Sequence, residues 1–382
     1  MTLTAYKVCY NDTNTPFEEI SFAFGSNTRS VIIPCRNAVL FLDECLQSIL
    51  DQTCLGQMKV EISLFDDSSD DGSFDLAYSY RKLCSNRGVV LTINRQSSNK
   101  PSGVANAKNS AVKNSSGQFL CFLDADDYCD VDRIRRQYEL AINVEELSLI
   151  GSKFKRLPDN STKRYTKWAN NLTNLQLYTQ IYTSNGPTLI APTWFCSRRL
   201  YDVIGGFSDN GRTGFPEDLD FFYKALRKGA CLYKVDDSLV TYRYHSDCAS
   251  FSVSEETILS IRVAEFERII LEKRGNWSKF SIWNVGKSGK KFFNALKPEN
   301  RRKVLCFGDI DSQKIDRKFF ECYVRNNNTK KFVIQFKLPI IHISELQPPV
   351  VICVKMDLTG GMLEKYVEEK NWIEGENYFY LC

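Results

Sequence analysis

Residues 30–37 read Ser30-Val31-Ile32-Ile33-Pro34-Cys35-Arg36-Asn37, an apolar run closed by a proline and followed by a cation and an amide. A run this short, rich in β-branched residues, predicts a buried strand. The period then changes. Leu42, Leu46, Ile49 and Leu50 recur at helical spacing, which predicts an amphipathic helix. Outward from this pair the alternation continues, with strands over 59–65, 89–93 and 118–123 and helices over 73–83 and 104–112. Further helices are expected at 131–142, 216–228 and 255–273, and further strands at 149–154 and 238–244. Strands and helices in this order predict an α/β unit with a mostly parallel central sheet and helices on both faces. Sheets of that kind bind ligands at the carboxyl ends of their strands.

Composition sets the outer bounds. The chain has 382 residues, 43% hydrophobic and 25% charged, ordinary values for a globular protein with a real core. Its formal net charge of +4 permits an acidic partner without requiring one. The 14 cysteines are scattered singly, with no CxxC pair, so zinc-finger and thioredoxin readings are poor. Scattered thiols fit a reducing compartment better than a disulfide framework. Residues 1–29 carry no basic segment followed by an apolar core, and no long apolar run follows, so the expected location is cytoplasmic. The expected organisation is an extension over 1–29, a main domain over 30–255, a helical connector with a basic face over 256–300, and a smaller α/β domain over 301–382. A basic helix is expected over 279–296, and strands over 303–307 and 350–354.

Polar residues gather at the predicted strand ends: Arg36-Asn37, Asp66-Asp67, and Asp124-Ala125-Asp126-Asp127. Residues two apart on a strand face one side, so Asp124 and Asp126 can address one ligand. Two hard oxygen donors suit Mg²⁺ or Mn²⁺, a cation normally shared with substrate phosphates. The bland reading is an acidic turn whose aspartates cap the next helix. Placement directly after a buried strand, beside two other polar strand ends, favours the functional one. In the turn Asp66–Ser73, Ser73 reads as an N-cap. Glu217-Asp218 opens a helix and either complements its dipole or supplies a general base; spacing leaves that choice open. His245, one of two histidines, matters only if the fold returns it to Asp124 and Asp126.

Taken together, these residues resemble the family-2 glycosyltransferases of GT-A fold, a Rossmann-like architecture. The likeness is carried by Val31-Ile32-Ile33-Pro34 with Asn37, Phe65-Asp66-Asp67-Ser68 with Asp71-Gly72-Ser73, and Ala107-Lys108-Asn109. It continues through Phe122–Asp127, Pro216-Glu217-Asp218 and Tyr242-Arg243-Tyr244-His245. The resemblance implies a metal-dependent UDP-sugar transferase. Pro34, Asn37, Asp67, Lys108 and Asp124 would bind the donor; Asp124, Asp126 and His245 would hold Mn²⁺ or Mg²⁺; Asp218, with Glu217 beside it, would be the base of an inverting displacement. Lys108 stands where many members carry Arg, which keeps a cation but loses a bidentate grip.

Further stretches, Tyr165–Trp168, Ser184–Thr188, Pro192–Arg198, Ile282–Asn284 and Val351–Lys355, resemble a narrower group, the queuosine-tRNA galactosyltransferases, also described as β-1,3-N-acetylglucosaminyltransferase-like. That resemblance implies UDP-galactose as donor and queuosine at the wobble position of tyrosine tRNA as acceptor. Single-stranded RNA is bound by stacking and by cations. Trp168, Tyr182 and Trp194 are then expected to face the acceptor, and Lys287, Lys290, Lys291, Arg301, Arg302 and Lys303 to follow the tRNA backbone. A transferase acting on glycan, lipid or protein, and an inactive RNA-binding scaffold, are the alternatives.

Overall fold

The computed structural model describes residues 28–98, 100–208, 214–245, 253–325, 331–355 and 359–382. The expectation of an N-terminal extension therefore falls, through residue 27, outside the described residues. Two compact units are formed: described residues 28–177 and 187–254 make one, and residues 178–186 and 255–382 the other.

The first unit is built on β1 (Arg29–Cys35), β2 (Val60–Asp66), β3 (Val90–Arg95), β4 (Phe119–Phe122), β5 (Tyr128–Cys129), β6 (Ser148–Leu157), β7 (Phe195–Ser197) and β8 (Cys231–Arg243). Their order in the sheet is β3-β2-β1-β4-β7-β6-β8-β5. Strand β1 pairs in parallel with both β2 and β4, so Arg29 lies opposite Val60 on one side and Phe119 on the other. Strand β7 runs antiparallel between β4 and β6. Helices α1 (Val39–Leu50), α2 (Ser73–Ser79), α3 (Arg81–Asn86), α4 (Val104–Lys113), α5 (Arg133–Ala141), α6 (Lys163–Asn171), α7 (Arg198–Ile204) and α8 (Glu217–Arg227) complete it.

Alternation along β1 and β2 decides which face is covered by what. Val31, Ile33, Ile62 and Leu64 join Leu42, Leu46 and Ile49 of α1 in one apolar core. On the opposite face Ser63, between Ile62 and Leu64, donates to the Ala111 carbonyl of α4 at 2.7 Å. The expected mostly parallel sheet with helices on both faces is present. One buried carboxylate fastens its middle: Glu61 accepts from Ser30 Oγ (2.6 Å), Ser116 N (2.5 Å), Ser116 Oγ (2.9 Å) and Gly117 N (2.9 Å).

Several local expectations change. The helix expected over 73–83 breaks at Tyr80 into α2 and α3. Ser73 is the first residue of α2 and does not cap that helix; Gly72, at φ 94°, is its cap residue. The Ser73 hydroxyl instead receives the Ala38 N–H at 2.8 Å, while Asp71 receives Val39 N at 3.0 Å, so this turn caps α1. Helix α6 and strand β7 were not foreseen. Eleven cysteines are free thiols and Cys231 is disulfide-bonded, so among the described residues the free thiols form no framework of bridges.

The second unit carries β9 (Phe280–Trp283), β10 (Val304–Asp309), β11 (Phe319–Arg325), β12 (Phe332–His342), β13 (Val350–Ile352) and β14 (Tyr378–Tyr380), in the order β11-β12-β10-β9-β13-β14. A smaller second α/β unit is present, but it does not begin at residue 301: residues 178–186 and 255–300, expected within the main domain and as a connector, are part of it, with α9 (Glu255–Phe266), α10 (Lys287–Ala295) and α11 (Met362–Glu369). The single helix expected over 279–296 is wrong. Phe280-Ser281-Ile282-Trp283 is a fully buried strand, Asn284 turns the chain at φ 98°, and only then does α10 begin. Gly289 lets α10 dock, because a Cβ there would lie 1.8 Å from the Asn284 carbonyl oxygen.

Candidate active site

The carboxyl ends of β1, β2 and β4 meet in one set of loops. Beyond β1, Asn37 takes φ 48°, a left-handed turn that asparagine tolerates. Its side chain accepts from Asp70 N at 3.1 Å and its N–H donates to Ser69 Oγ at 2.9 Å, binding the first loop to the second. Pro34 does not reach this edge: it lies buried inside β1 opposite Phe65. Asp67 opens the second loop. Its carboxylate receives Ser102 N (2.7 Å), Ser102 Oγ (2.6 Å) and Gly103 N (2.8 Å), which fixes the turn that starts α4.

Helix α4 carries Lys108 inward. Its ammonium lies 3.0 Å from Glu217 Oε1 of α8 and 3.8 Å from Asp124 Oδ1 beyond β4. Burial alone would lower its pKa, but Asp124, Glu217 and Asp218 outweigh it, and the ammonium is held above its ordinary range. Lys108 therefore ties three loops together within the protein rather than presenting a free cation to a nucleotide.

The two carboxylates that spacing left equivalent now separate. Glu217 is committed to Lys108. Among the described residues, the Asp218 carboxylate accepts a hydrogen bond only from Leu219 N, at 2.7 Å. Burial, then Glu217, push the Asp218 carboxyl up to about 6, with Lys108 opposing. A carboxylate with that value is poised to take a proton near neutrality. Tyr165 of α6 senses it: burial raises the phenol's pKa, Arg156 opposes and Asp218 adds to the rise. Arg156 itself lies over the Tyr242 ring at 3.8 Å, forming a cation–aromatic layer that sequence reading missed.

Beyond β4, Asp126 Oδ2 and His245 Nε2 stand 2.9 Å apart, and the imidazole stacks on Phe41 of α1 at 5.0 Å. Burial, followed by the charge of Asp124, raises the Asp126 carboxyl's pKa, while His245 lowers it. Asp127 is buried next to it; one oxygen accepts Arg243 N at 2.8 Å and the other has no hydrogen-bond partner among the described residues. The residue before Tyr244-His245 fixes this approach: Arg243 donates to the Asp126 carbonyl at 2.7 Å and also to Glu44. Among the described residues, no group of three His, Cys, Asp or Glu is gathered to hold a metal. What the described residues offer is a two-residue edge of hard oxygen and imidazole nitrogen, with Asp124 two positions before Asp126 and facing Lys108. Crowded carboxylates held above their normal range fit a divalent cation that takes its remaining ligands from phosphate.

Arg133 is another residue missed. It is fully buried in α5 and donates to the carbonyls of Phe122 (2.6 Å) and Pro192 (2.8 Å), while Gln137 donates to the Thr193 carbonyl at 2.7 Å. It fixes the end of β4 from behind. Charged residues on an amphipathic helix read as its wet face, so no sequence signal marked it.

The acceptor candidates fare differently. Trp194 is 0% exposed, donates to the Leu189 carbonyl at 2.9 Å and stacks on Phe221, so it cannot stack on RNA. Tyr182, in the second unit, is likewise buried among Phe266 and Phe379. Trp168 is half-buried, with Tyr165 at 5.9 Å. Of the basic run, Arg301 donates to the Leu296 and Asn294 carbonyls, Lys303 to the Leu271 carbonyl, and Lys291 pairs with Glu255. Lys290 is half-buried, with its ammonium 5.9 Å from the Phe320 ring. Lys287 and Arg302 are exposed. The run does not form the continuous cationic face expected of it.

Residues 30–205 match the family model for Glycosyl transferase family 2. With that match, the strand order and the strand-end acids are those of a GT-A fold. The chain is similar to the uncharacterized glycosyltransferase EpsJ of Bacillus subtilis, 27% identical over 219 residues covering 56% of this chain and 60% of that protein. It is also similar to a poly(ribitol-phosphate) beta-glucosyltransferase of Bacillus spizizenii, 32% identical over 113 residues covering 29% of this chain and 17% of that protein. The chain thus spans less than two thirds of the length of both relatives. Among solved structures, S. aureus TarS 1–349 in complex with UDP-GlcNAc is similar at 19% identity and a TM-score of 0.48, over 63% of this chain and 66% of that one. Among the described residues no helix is long and apolar enough to cross a membrane.

Proposed function

We propose that this chain, which matches the family-2 glycosyltransferases over residues 30–205, is an inverting UDP-sugar-dependent hexosyltransferase with Asp218 as its base. The observation that carries this reading is the separation of the two α8 carboxylates: Glu217 is paired with Lys108, and Asp218 is left with a pKa of about 6. Asp218 takes the proton of an acceptor hydroxyl as that oxygen attacks the anomeric carbon. Attack from the face opposite the diphosphate turns an α-linked donor into a β-linked product. Asn37 and Asp67 shape the loops that receive the nucleotide. Lys108 holds Glu217 and Asp124 in place, so that negative charge around Asp218 is partly balanced. Asp126 and His245, with Asp124, would hold Mn²⁺ or Mg²⁺, which when bound supplies Lewis-acid stabilisation of the departing diphosphate.

In its finer form the reading takes UDP-galactose as donor and queuosine of tyrosine tRNA as acceptor. Support comes from the sequence resemblance in residues 165–168, 184–188, 192–198, 282–284 and 351–355. It does not come from Trp194, Arg301 or Lys303, which are used inside the protein. The test is nucleoside mass analysis of queuosine-containing tyrosine tRNA incubated with the chain, Mn²⁺ and each UDP-sugar. A hexose added to queuosine with UDP-galactose alone is the expected result. UDP release that is stimulated only by a saccharide or polyol-phosphate acceptor would overturn the tRNA clause and leave the transferase clause standing.

A further inference from the structure

The second unit ends, at one edge of its sheet, in a two-stranded antiparallel ribbon of β11 and β12. The register shifts by one residue at a bulge between Cys322 and Tyr323, and on either side of it the side chains divide between two faces. Phe320 and Cys322 lie opposite Leu338 and Phe336 on the inner face, where Phe320 and Phe336 pack on Phe293 at 5.3 and 5.5 Å. The outer face should then be polar, as on an ordinary half-buried antiparallel sheet. It is so only in part: Glu321 lies there, paired with Lys337 at 3.4 Å and accepting from the Tyr323 hydroxyl at 2.6 Å. Phe319, Tyr323 and Phe332 share the face, 44%, 54% and 71% exposed, with Ile334 among them. Tyr323 and Phe332 are diagonal neighbours across the strands, about 7–8 Å apart in such a pair.

Charge is concentrated in the same place. The described residues from 317 to 342 hold five cations (Arg317, Lys318, Arg325, Lys331 and Lys337) against one acid, Glu321, a net of +4. With Lys330 the stretch sums to +5 against +4 for the whole chain, so the rest of the sequence sums to −1. Arg325 shares the outer face with the aromatics, opposite Phe332, and the Lys337 ammonium lies 4.5 Å from the Phe319 ring. Self-association through this ribbon would bring two +4 surfaces together. Insertion into a bilayer would lead with Arg325 and Lys331, which stand at its far end. Exposed rings interleaved with cations are instead what a single-stranded nucleic acid requires, bases on the rings and phosphates on the cations.

We propose that the outer face of this ribbon is a docking surface for single-stranded RNA, with bases stacking on Tyr323, Phe332 and Phe319 and phosphates meeting Arg325 and Lys331. The inference deepens the acceptor reading above and rests on it for the choice of RNA. The test is fluorescence anisotropy of a labelled tyrosine-tRNA anticodon stem-loop titrated with the full chain across a salt series. Phe332→Ala with Tyr323→Ala should weaken binding at least about tenfold, since stacking contributes about 1–3 kcal/mol per base. Arg325→Glu with Lys331→Glu should flatten the log–log salt slope by at least about 1.4, from about 0.7 per lost phosphate contact on a single strand. UDP binding by calorimetry and the thermal midpoint should stay as in the wild type, which separates lost docking from lost folding. RNA binding that persists unchanged in both double variants overturns the ribbon and leaves the acceptor reading intact. A wild-type chain that binds no stem-loop, while still releasing UDP with a saccharide acceptor, overturns both. Binding to anionic vesicles but not to RNA, or a concentration-dependent dimer abolished by the same variants, overturns the ribbon's assignment to RNA.

Discussion

Asp126 and His245 are 119 positions apart in the sequence, and their Oδ2 and Nε2 atoms lie 2.9 Å from each other. Two unrelated loops, one leaving β4 and one leaving β8, have been brought to one point. A divalent cation held there would take both groups as ligands in place of their direct contact. His245→Ala and Asp126→Asn should each raise the Mn²⁺ concentration for half-maximal UDP release by at least about tenfold. The check is a metal titration of UDP release; an unchanged midpoint in both variants would place the metal elsewhere.

Asp218→Asn should lower kcat by about 10²- to 10⁴-fold, the usual share of a general base, and leave the UDP-sugar dissociation constant near the wild-type value. Glu217→Gln should cost less, because Glu217 acts through Lys108. In the wild type, kcat should fall as pH drops through about 6, because protonation there removes the base. A flat profile between pH 5 and 8 would contradict the assignment.

The same shift carries a stability cost whose sign is fixed. The folded pKa of Asp218 is raised above its unfolded value, so ionisation disfavours the fold once pH exceeds that unfolded value, about 3.9. Asp218→Asn should therefore raise the thermal midpoint at pH 8 and change it little at pH 4. An enzyme that becomes less active and more heat-stable through one side chain is what a poised catalytic base predicts.

Lys108 supplies an independent check. Lys108→Met removes the cation that opposes the rise at Asp218, so the acidic limb of the pH–rate profile should move above 6. Breaking a buried pair also costs about 3–5 kcal/mol of stability, readable in urea unfolding. Lys108→Arg should keep most of the stability. A limb that stays in place in Lys108→Met would mean that Lys108 does not set the charge at the base.

Glu61 lies away from this chemistry and tests the fold alone. Burial pushes its pKa up, but the bonds from Ser30, Ser116 and Gly117 outweigh that and hold it below its ordinary value. Its contribution is present above the unfolded value, about 4.3, and is lost as pH falls through the lower folded value. Glu61→Gln should cost about 1–3 kcal/mol at pH 7 in urea unfolding, and little at pH 3. Gly117→Ala should be as damaging, since a Cβ would sit 2.3 Å from Ser30 Oγ.

The alternation that opens at Val31 was legible because buried parallel strands and amphipathic helices have different periods, and the strand-end acids were legible because turns follow strands. Partnerships were not. Nothing in Lys108 or Glu217 says that they meet across 109 positions, so the cation reads as a nucleotide contact, and spacing alone does not separate Glu217 from Asp218. Composition misled at the basic run: Arg301 and Lys303 look like a surface, but their donors satisfy carbonyls at the ends of neighbouring elements. Trp194 looked like a stacking platform and is core. The β11–β12 ribbon escaped notice for the opposite reason. Apolar residues on both of its faces erase the period of two that marks a strand, and that same anomaly is what makes its outer face informative.

The most direct test of the account is a crystal of the full chain grown with UDP and Mn²⁺, with the metal located by anomalous scattering. The account predicts a single manganese peak bonded to Asp126 and His245 and to the diphosphate, with the Asp218 carboxylate facing the side from which a sugar's anomeric carbon would be attacked. A manganese bound to UDP but to neither Asp126 nor His245, or an Asp218 carboxylate turned away from the diphosphate, would contradict it.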